Sequence, residues 1–185
     1  MSCSRRFVTI TGWNVSGVSM KETSQRCWVM KVRLLSVGRG MPSWIEEGMA
    51  VYAKRLRPEL DFQLCEIPAG GTKSQSRDQI REREGRSILS KTDHQEYIVA
   101  LDERGKRLDS KEFAYLLQDI MQLGQKLVFV IGGTEGLSRE CRERADFTLS
   151  LSPLTFPHML VRVILLEQLY RGLSILRNHP YHRGC

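Results

Sequence analysis

From Met30 onward the sequence predicts a single α/β domain on a mostly parallel, five-stranded sheet. Two observations lead there. Short β-branched apolar runs alternate with helical apolar periodicities in five successive strand–helix units, with no internal repeat or linker dividing them. The fourth run, residues 126–131, stops at Gly132, Gly133 and Gly136, which puts a glycine turn at the carboxyl end of a strand. Glycines there let a ligand approach the backbone, and open α/β sheets bind ligands at the carboxyl ends of their strands.

Each element has its own signal. Residues 31–37 form the first strand. Pro42 and Ser43 then open a helix to about residue 57, with Trp44, Ile45, Met49, Tyr52 and Leu56 spaced for one buried face. Residues 61–67 are the second strand. A polar loop at 68–76 leads into a charged helix at about 77–90, where Lys73, Arg77, Arg81, Arg83, Arg86 and Lys91 are only partly offset by Asp78, Glu82 and Glu84. That helix reads equally as a solvated face with internal ion pairs or as a phosphate-facing arm. The third strand, 96–101, ends at L-D-E-R-G-K. Asp109 or Ser110 caps a helix through residue 123, with Phe113, Leu116, Leu117, Ile120 and Met121 at helical spacing and Gly124 as its stop. After the glycine turn come a short helix at 138–145, a fifth strand at 147–151 and an irregular loop of Ser152, Pro153, Leu154, Thr155, Phe156 and Pro157. Such a loop leaves main-chain groups free for a ligand. Two adjacent loops of this kind make a pocket.

The last helix, about 158–177, is apolar on most sides. Met159, Val163, Leu166, Tyr170 and Leu173 line one side and Leu165, Leu169 and Leu176 another, so the polar strip narrows to Glu167, Arg171 and Ser174. One side suits the sheet, and the other predicts a second copy of the same helix in a homodimer.

Composition bounds the function. The 185 residues are 41% hydrophobic and carry a formal charge of +7, which favours a polyanion such as nucleic acid without demanding one. Five scattered cysteines without a C-x-x-C pair support neither a zinc site nor a disulfide framework, and predict a reducing cytoplasm. No apolar run suits a membrane span or signal peptide. Residues 1–29 lack sustained periodicity, apart from a candidate edge strand at 6–11, and read as an N-terminal extension, disordered or foreign to the fold, ahead of the domain at 30–185. Neither the G-x-G-x-x-G of dinucleotide-binding folds nor the G-x-x-x-x-G-K-S phosphate loop is present.

The segments I-G-G-T-E-G-L, S-L-S-P-L-T-F-P-H and L-L-E-Q-L-Y-R, with the tail N-H-P-Y-H-R, resemble the RlmH family, the bacterial ribosomal large-subunit pseudouridine N3-methyltransferases of the SPOUT class. The likeness runs from Met30 to the C-terminus and includes M-K-V-R-L-L-S-V-G and E-I-P-A-G. It implies a C-terminal trefoil knot, against the base rate for knots. It also implies S-adenosylmethionine as cofactor, a homodimer whose site uses both subunits, and a pseudouridine of 23S rRNA in the assembled ribosome as substrate. The implied cofactor loops fall on Leu101 and Asp102, on Gly132 and Gly133, and on Leu151, Ser152, Pro153, Leu154, Thr155, Phe156 and Pro157, the last two being the loops that make the pocket.

Methyl transfer to N3 is a direct displacement that needs alignment and a route for the N3 proton, and no metal. Histidine suits that proton near neutrality. His158, His179 and His182, with Tyr181 among them, are the candidates, and the acceptor stays open between them. In the bland alternative His158 only caps its helix and the tail only packs. Tyr181 and Arg183 offer a ring and a cation for RNA, and Arg162 and Arg171 are expected to bind phosphate or brace the dimer. A dimeric, non-catalytic ribosome-binding protein is the rival function; it explains basicity but not two pocket-forming loops.

Overall fold

A computed structural model of the chain describes residues 30–70 and 75–181. The extension at 1–29 with its candidate strand, Lys73, His182 and Arg183 lie outside the described residues.

Five strands form one all-parallel sheet in the order β2-β1-β4-β3-β5: β1 (Met30–Val37), β2 (Leu60–Ile67), β3 (Glu96–Arg107), β4 (Lys126–Ile131) and β5 (Phe147–Ser150). β1 and β4 are central and covered on both faces, hence their near-continuous apolar sequences. Period-two alternation sorts their side chains. Val32, Leu34, Leu127 and Phe129 pack with α1 (Ser43–Leu56), α3 (Ser110–Leu123) and α5 (His158–Leu176), whereas Leu35, Val37, Val128 and Val130 pack with α2 (Arg77–Leu89) and α4 (Arg139–Arg144).

Local chemistry sets the helix ends. Asp109 caps α3 by accepting from the backbone N–H groups of Lys111 and Glu112, Glu112 closes a capping box, and Gly124 ends the helix in the left-handed region. Ser76 and Gln79 form a second capping box on α2, and Ser138 caps α4.

Three sequence expectations are corrected. β3 does not end at Leu101. Residues 102–105 bulge out and pairing with β5 resumes at Lys106 and Arg107, so Leu149 is the register partner of both Leu101 and Lys106. Trp44 is 59% exposed, so the buried face of α1 is carried by Ile45, Met49 and Leu56. Third, α5 buries Leu165 and Leu169 of its second apolar side within one subunit, whereas Leu176 stays half-buried. It lies between α1 and α3: Val163 meets Gly48, Gly172 sits against Ala114 and Leu117, and Leu165, Leu166 and Leu169 are fully buried within one subunit. Among the described residues no helix is long and apolar enough to cross a membrane.

Candidate active site

Because β3, β4 and β5 are neighbours in a parallel sheet, the three segments at their carboxyl ends converge. They enclose a cavity of about 580 Å³, within the usual range for small-molecule sites. Leu101 and Asp102 of the β3 bulge, Gly132 to Leu137 after β4, and Leu151, Ser152, Leu154, Thr155, Phe156 and Pro157 after β5 line it, with His158 and Val161 from the start of α5. Of the predicted cofactor loops only Pro153 is absent from the wall.

The glycine turn is tightly built. Gly136 has φ +76° and its N–H donates to the Gly133 carbonyl at 3.1 Å. A Cβ on Gly132 would stand 2.5 Å from the Gly136 carbonyl carbon, so only glycine permits this backbone crossing. Gly133 has a different reason: a Cβ there would lie 2.7 Å from Glu84 Oε2 and 3.1 Å from Val37 Cγ1, on the α2 side. Its missing side chain makes room for Glu84, while its backbone stays on the cavity wall.

Side-chain oxygens shape the other two walls. Asp102 accepts from the Arg104 N–H at 3.0 Å, which folds the bulge, and its carboxylate lies 3.8 Å from Arg142. Ser152 Oγ accepts from the Leu154 N–H at 2.9 Å, while its carbonyl accepts from the Ser150 hydroxyl at 3.0 Å. Thr155 reaches Glu103 across the mouth at 3.5 Å.

His158 is half-buried on the wall. Burial, and then the Arg162 charge, push its pKa below the ordinary 6.5, so the imidazole is neutral at pH 7 and able to accept a proton. Pro157 occupies the N-cap position, and α5 has no side-chain cap, so His158 does not cap its helix.

Arg162 departs from expectation. It is 0% exposed, and its guanidinium is spent inside the subunit, donating to Ser36 Oγ at 3.1 Å, Glu66 Oε1 at 2.7 Å and the Gly38 carbonyl at 2.8 Å. A phosphate cannot reach it. It joins β1, β2 and α5 instead.

The tail lies at the other end of α5. Asn178, with φ +54°, ends the helix, and the His179 N–H returns to the Ser174 carbonyl. Tyr181 folds back on α5: its hydroxyl donates to Glu167 at 3.2 Å, its ring meets Tyr170 edge-on at 4.7 Å, and Arg171, which also pairs with Glu167 at 2.7 Å, lies over it. The rise of α5 separates His158 from its last turn by about 27 Å. His158 is therefore apart from His179 within a subunit, whereas Tyr181 reaches back to Glu167, about 14 Å from His158 along the helix.

A family model described as a predicted SPOUT methyltransferase matches residues 30–182. The chain belongs to the SPOUT methyltransferase family. The ribosomal RNA large subunit methyltransferase H of Thioalkalivibrio sulfidiphilus is 47% identical over 83% of this chain and 99% of its own length. That of Alkalilimnicola ehrlichii is 48% identical over 84% of the chain and the whole of the relative, and that of a Psychrobacter species 45% identical over 84% and 99%. The SPOUT match begins where the sheet begins, at Met30.

In this SPOUT chain the sequence reading missed one buried group beside the site. By composition Glu84 is one of the acids that offset a basic helix, yet it is 4% exposed behind the glycine turn. Its signal was its spacing: Ile80, Glu84 and Ile88 recur every fourth residue, on the inward stripe of α2. Arg81, at the edge of the charged helix, reaches the cavity rim but is paired with Asp78.

Proposed function

We propose that this chain uses S-adenosylmethionine to methylate N3 of a pseudouridine in 23S rRNA on the assembled ribosome, in the cytoplasm. The observation that carries the proposal is the convergence of three strand ends, with a neutral histidine on the wall, in a chain of the SPOUT family. The cavity fits the cofactor chemically. Leu101, Leu149, Leu151 and Phe156 supply apolar surface for an adenine, loop main-chain groups supply hydrogen bonds, and the nearby carboxylates of Asp102 and Glu103 suit hydroxyls and positive charge.

Bound there, the cofactor would supply an electrophilic methyl group. The chain's own residues then have two tasks. The loops at 132–137 and 151–157 hold the ligand against the strand ends and limit its orientations, which is how positioning lowers the barrier of a direct displacement. His158 is the proposed acceptor of the N3 proton, since it is neutral and on the wall.

The homodimer and the knot belong to the same proposal. Support for a dimer comes from the described tail residues, which line no part of the cavity of their own subunit and so would serve the cavity of a second. Further support comes from Ile164 and Ile175, half-buried on α5 outside the core cluster, and from exposed Trp44 and Val51 on α1. Tyr181, Arg171 and the tail residues His179, His182 and Arg183 would then contact RNA. Residues 1–29 would be an extension outside the methyltransferase domain.

The test combines titration calorimetry with S-adenosylmethionine and single-turnover methyl transfer to ribosomes carrying either pseudouridine or uridine at the target position. The proposal expects cofactor binding and transfer to pseudouridine alone. A protein that binds ribosomes but no cofactor would be a non-catalytic ribosome-binding dimer or monomer, and the proposal would fall.

A further inference from the structure

Glu84 is a carboxylic acid in the wrong place for a solvated helix. It is 4% exposed and has no ion-pair partner among the described residues. One oxygen, Oε1, accepts from the Gly70 N–H at 2.9 Å. The other, Oε2, is buried without a hydrogen bond of ordinary geometry and faces the Gly133 backbone, whose N–H dipole favours the charged form. Burial outweighs that help, and with neighbouring Glu135 it pushes the carboxyl above its ordinary value of 4.5. Buried polar atoms left unpaired are uncommon and call for a reason. A methionine of similar length would fill the space without the cost of a buried acid, so packing alone does not explain the residue.

The geometry supplies the reason. Backbone from two separate loops meets this side chain: the Gly70 N–H after β2 donates to Oε1, and Gly133 after β4 lies so close that a Cβ there would stand 2.7 Å from Oε2. A carboxylate presents an acceptor to both backbone segments, whereas the amide of a glutamine must turn its NH2 toward one of them. Gly133 lacks a Cβ where one would strike this carboxylate. We propose that Glu84 is a positioning residue that braces the Gly132–Gly136 turn against the Gly70 loop, holding the turn in the shape that receives the cofactor. The inference rests on the proposed function only for the identity of that cofactor.

The test compares wild type with Glu84→Gln and Glu84→Met in the full chain. Amide hydrogen exchange of residues 132–137 is measured without ligand, together with melting temperature and affinity for S-adenosylhomocysteine. Loss of the brace should speed exchange at the turn about tenfold in both variants, while amides of α1 and α3 on the opposite face of the sheet stay as in wild type. Glu84→Met should melt no lower than wild type yet bind the cofactor product about tenfold more weakly. Unchanged exchange at 132–137 in a folded variant would overturn the brace, as would exchange that rises uniformly over the chain with a matching drop in melting temperature. If wild type fails to bind S-adenosylhomocysteine, the proposed function fails, and exchange at the turn still decides the role of Glu84.

Discussion

Arg162 on the last helix donates to Glu66 on the edge strand β2 at 2.7 Å, and the arginine of that pair has no exposed surface. The pair closes the sheet edge over α5, with Ser36 and the Gly38 carbonyl completing the guanidinium's partners. Arg162→Met removes the cation and leaves Glu66, Ser36 and a carbonyl without it. Breaking a buried pair from one side costs about 3–5 kcal/mol, and because Glu66 keeps 30% of its surface the expected loss is about 2–3 kcal/mol. Urea unfolding at neutral pH measures it. A loss under about half a kcal/mol would mean that solvent replaces the bonds.

Gly132→Ala places a methyl group 2.5 Å from backbone that cannot rotate away. The turn must rebuild, with an expected loss of about 1–3 kcal/mol in stability and of measurable cofactor binding. Calorimetry on the folded fraction checks this. Wild-type affinity in the variant would remove the turn from the site.

Ile164→Glu tests the dimer where Leu169 cannot, because Leu169 is buried within its own subunit. An unpaired charge inside an interface costs several kcal/mol, so the variant should sediment as one subunit at micromolar concentration while its melting curve stays cooperative. A wild-type protein that already sediments as one subunit ends the dimer proposal.

His158 should govern the acid limb of kcat/KM. Its pKa is below 6.5 in the folded chain, so the neutral, proton-accepting form persists to lower pH than a free histidine allows, and activity should fall only below that value. Stability follows the same sign. A depressed histidine stabilises the fold above 6.5, and that contribution is lost as pH falls toward the folded pKa. His158→Gln should flatten the acid limb and lower kcat by about 10²-fold or more. A limb that survives in the variant assigns the proton elsewhere, to the tail.

Removing the tail from residue 178 onward should abolish methyl transfer while leaving cofactor affinity as in wild type, since none of its described residues lines the cavity. Tyr181→Ala removes one stacking face, worth about 1–3 kcal/mol in single-stranded recognition. Single-turnover transfer at saturating cofactor separates the effects. Wild-type rates in the truncated chain would reduce the tail to packing.

Much of this protein was determined by sequence alone. Period-two apolar runs and helical stripes specify the parallel units, Asp109 and Gly124 specify the ends of α3, and Gly132 with the 151–157 loop mark where the cavity opens. All of these depend on neighbours within a few residues, so local chemistry is enough. Tertiary structure decided what long-range partners do with a side chain. Arg162 looked like a phosphate ligand until β1 and β2 brought Ser36 and Glu66 beneath it. Leu169 looked like interface until α1 and α3 flanked α5, and β3 continued past its charged bulge because β5 offered a partner for Lys106. Glu84 looked solvated until the Gly70 and Gly133 loops met on either side of it. In each case the residue type is compatible with two environments, and only the packing of distant segments selects one.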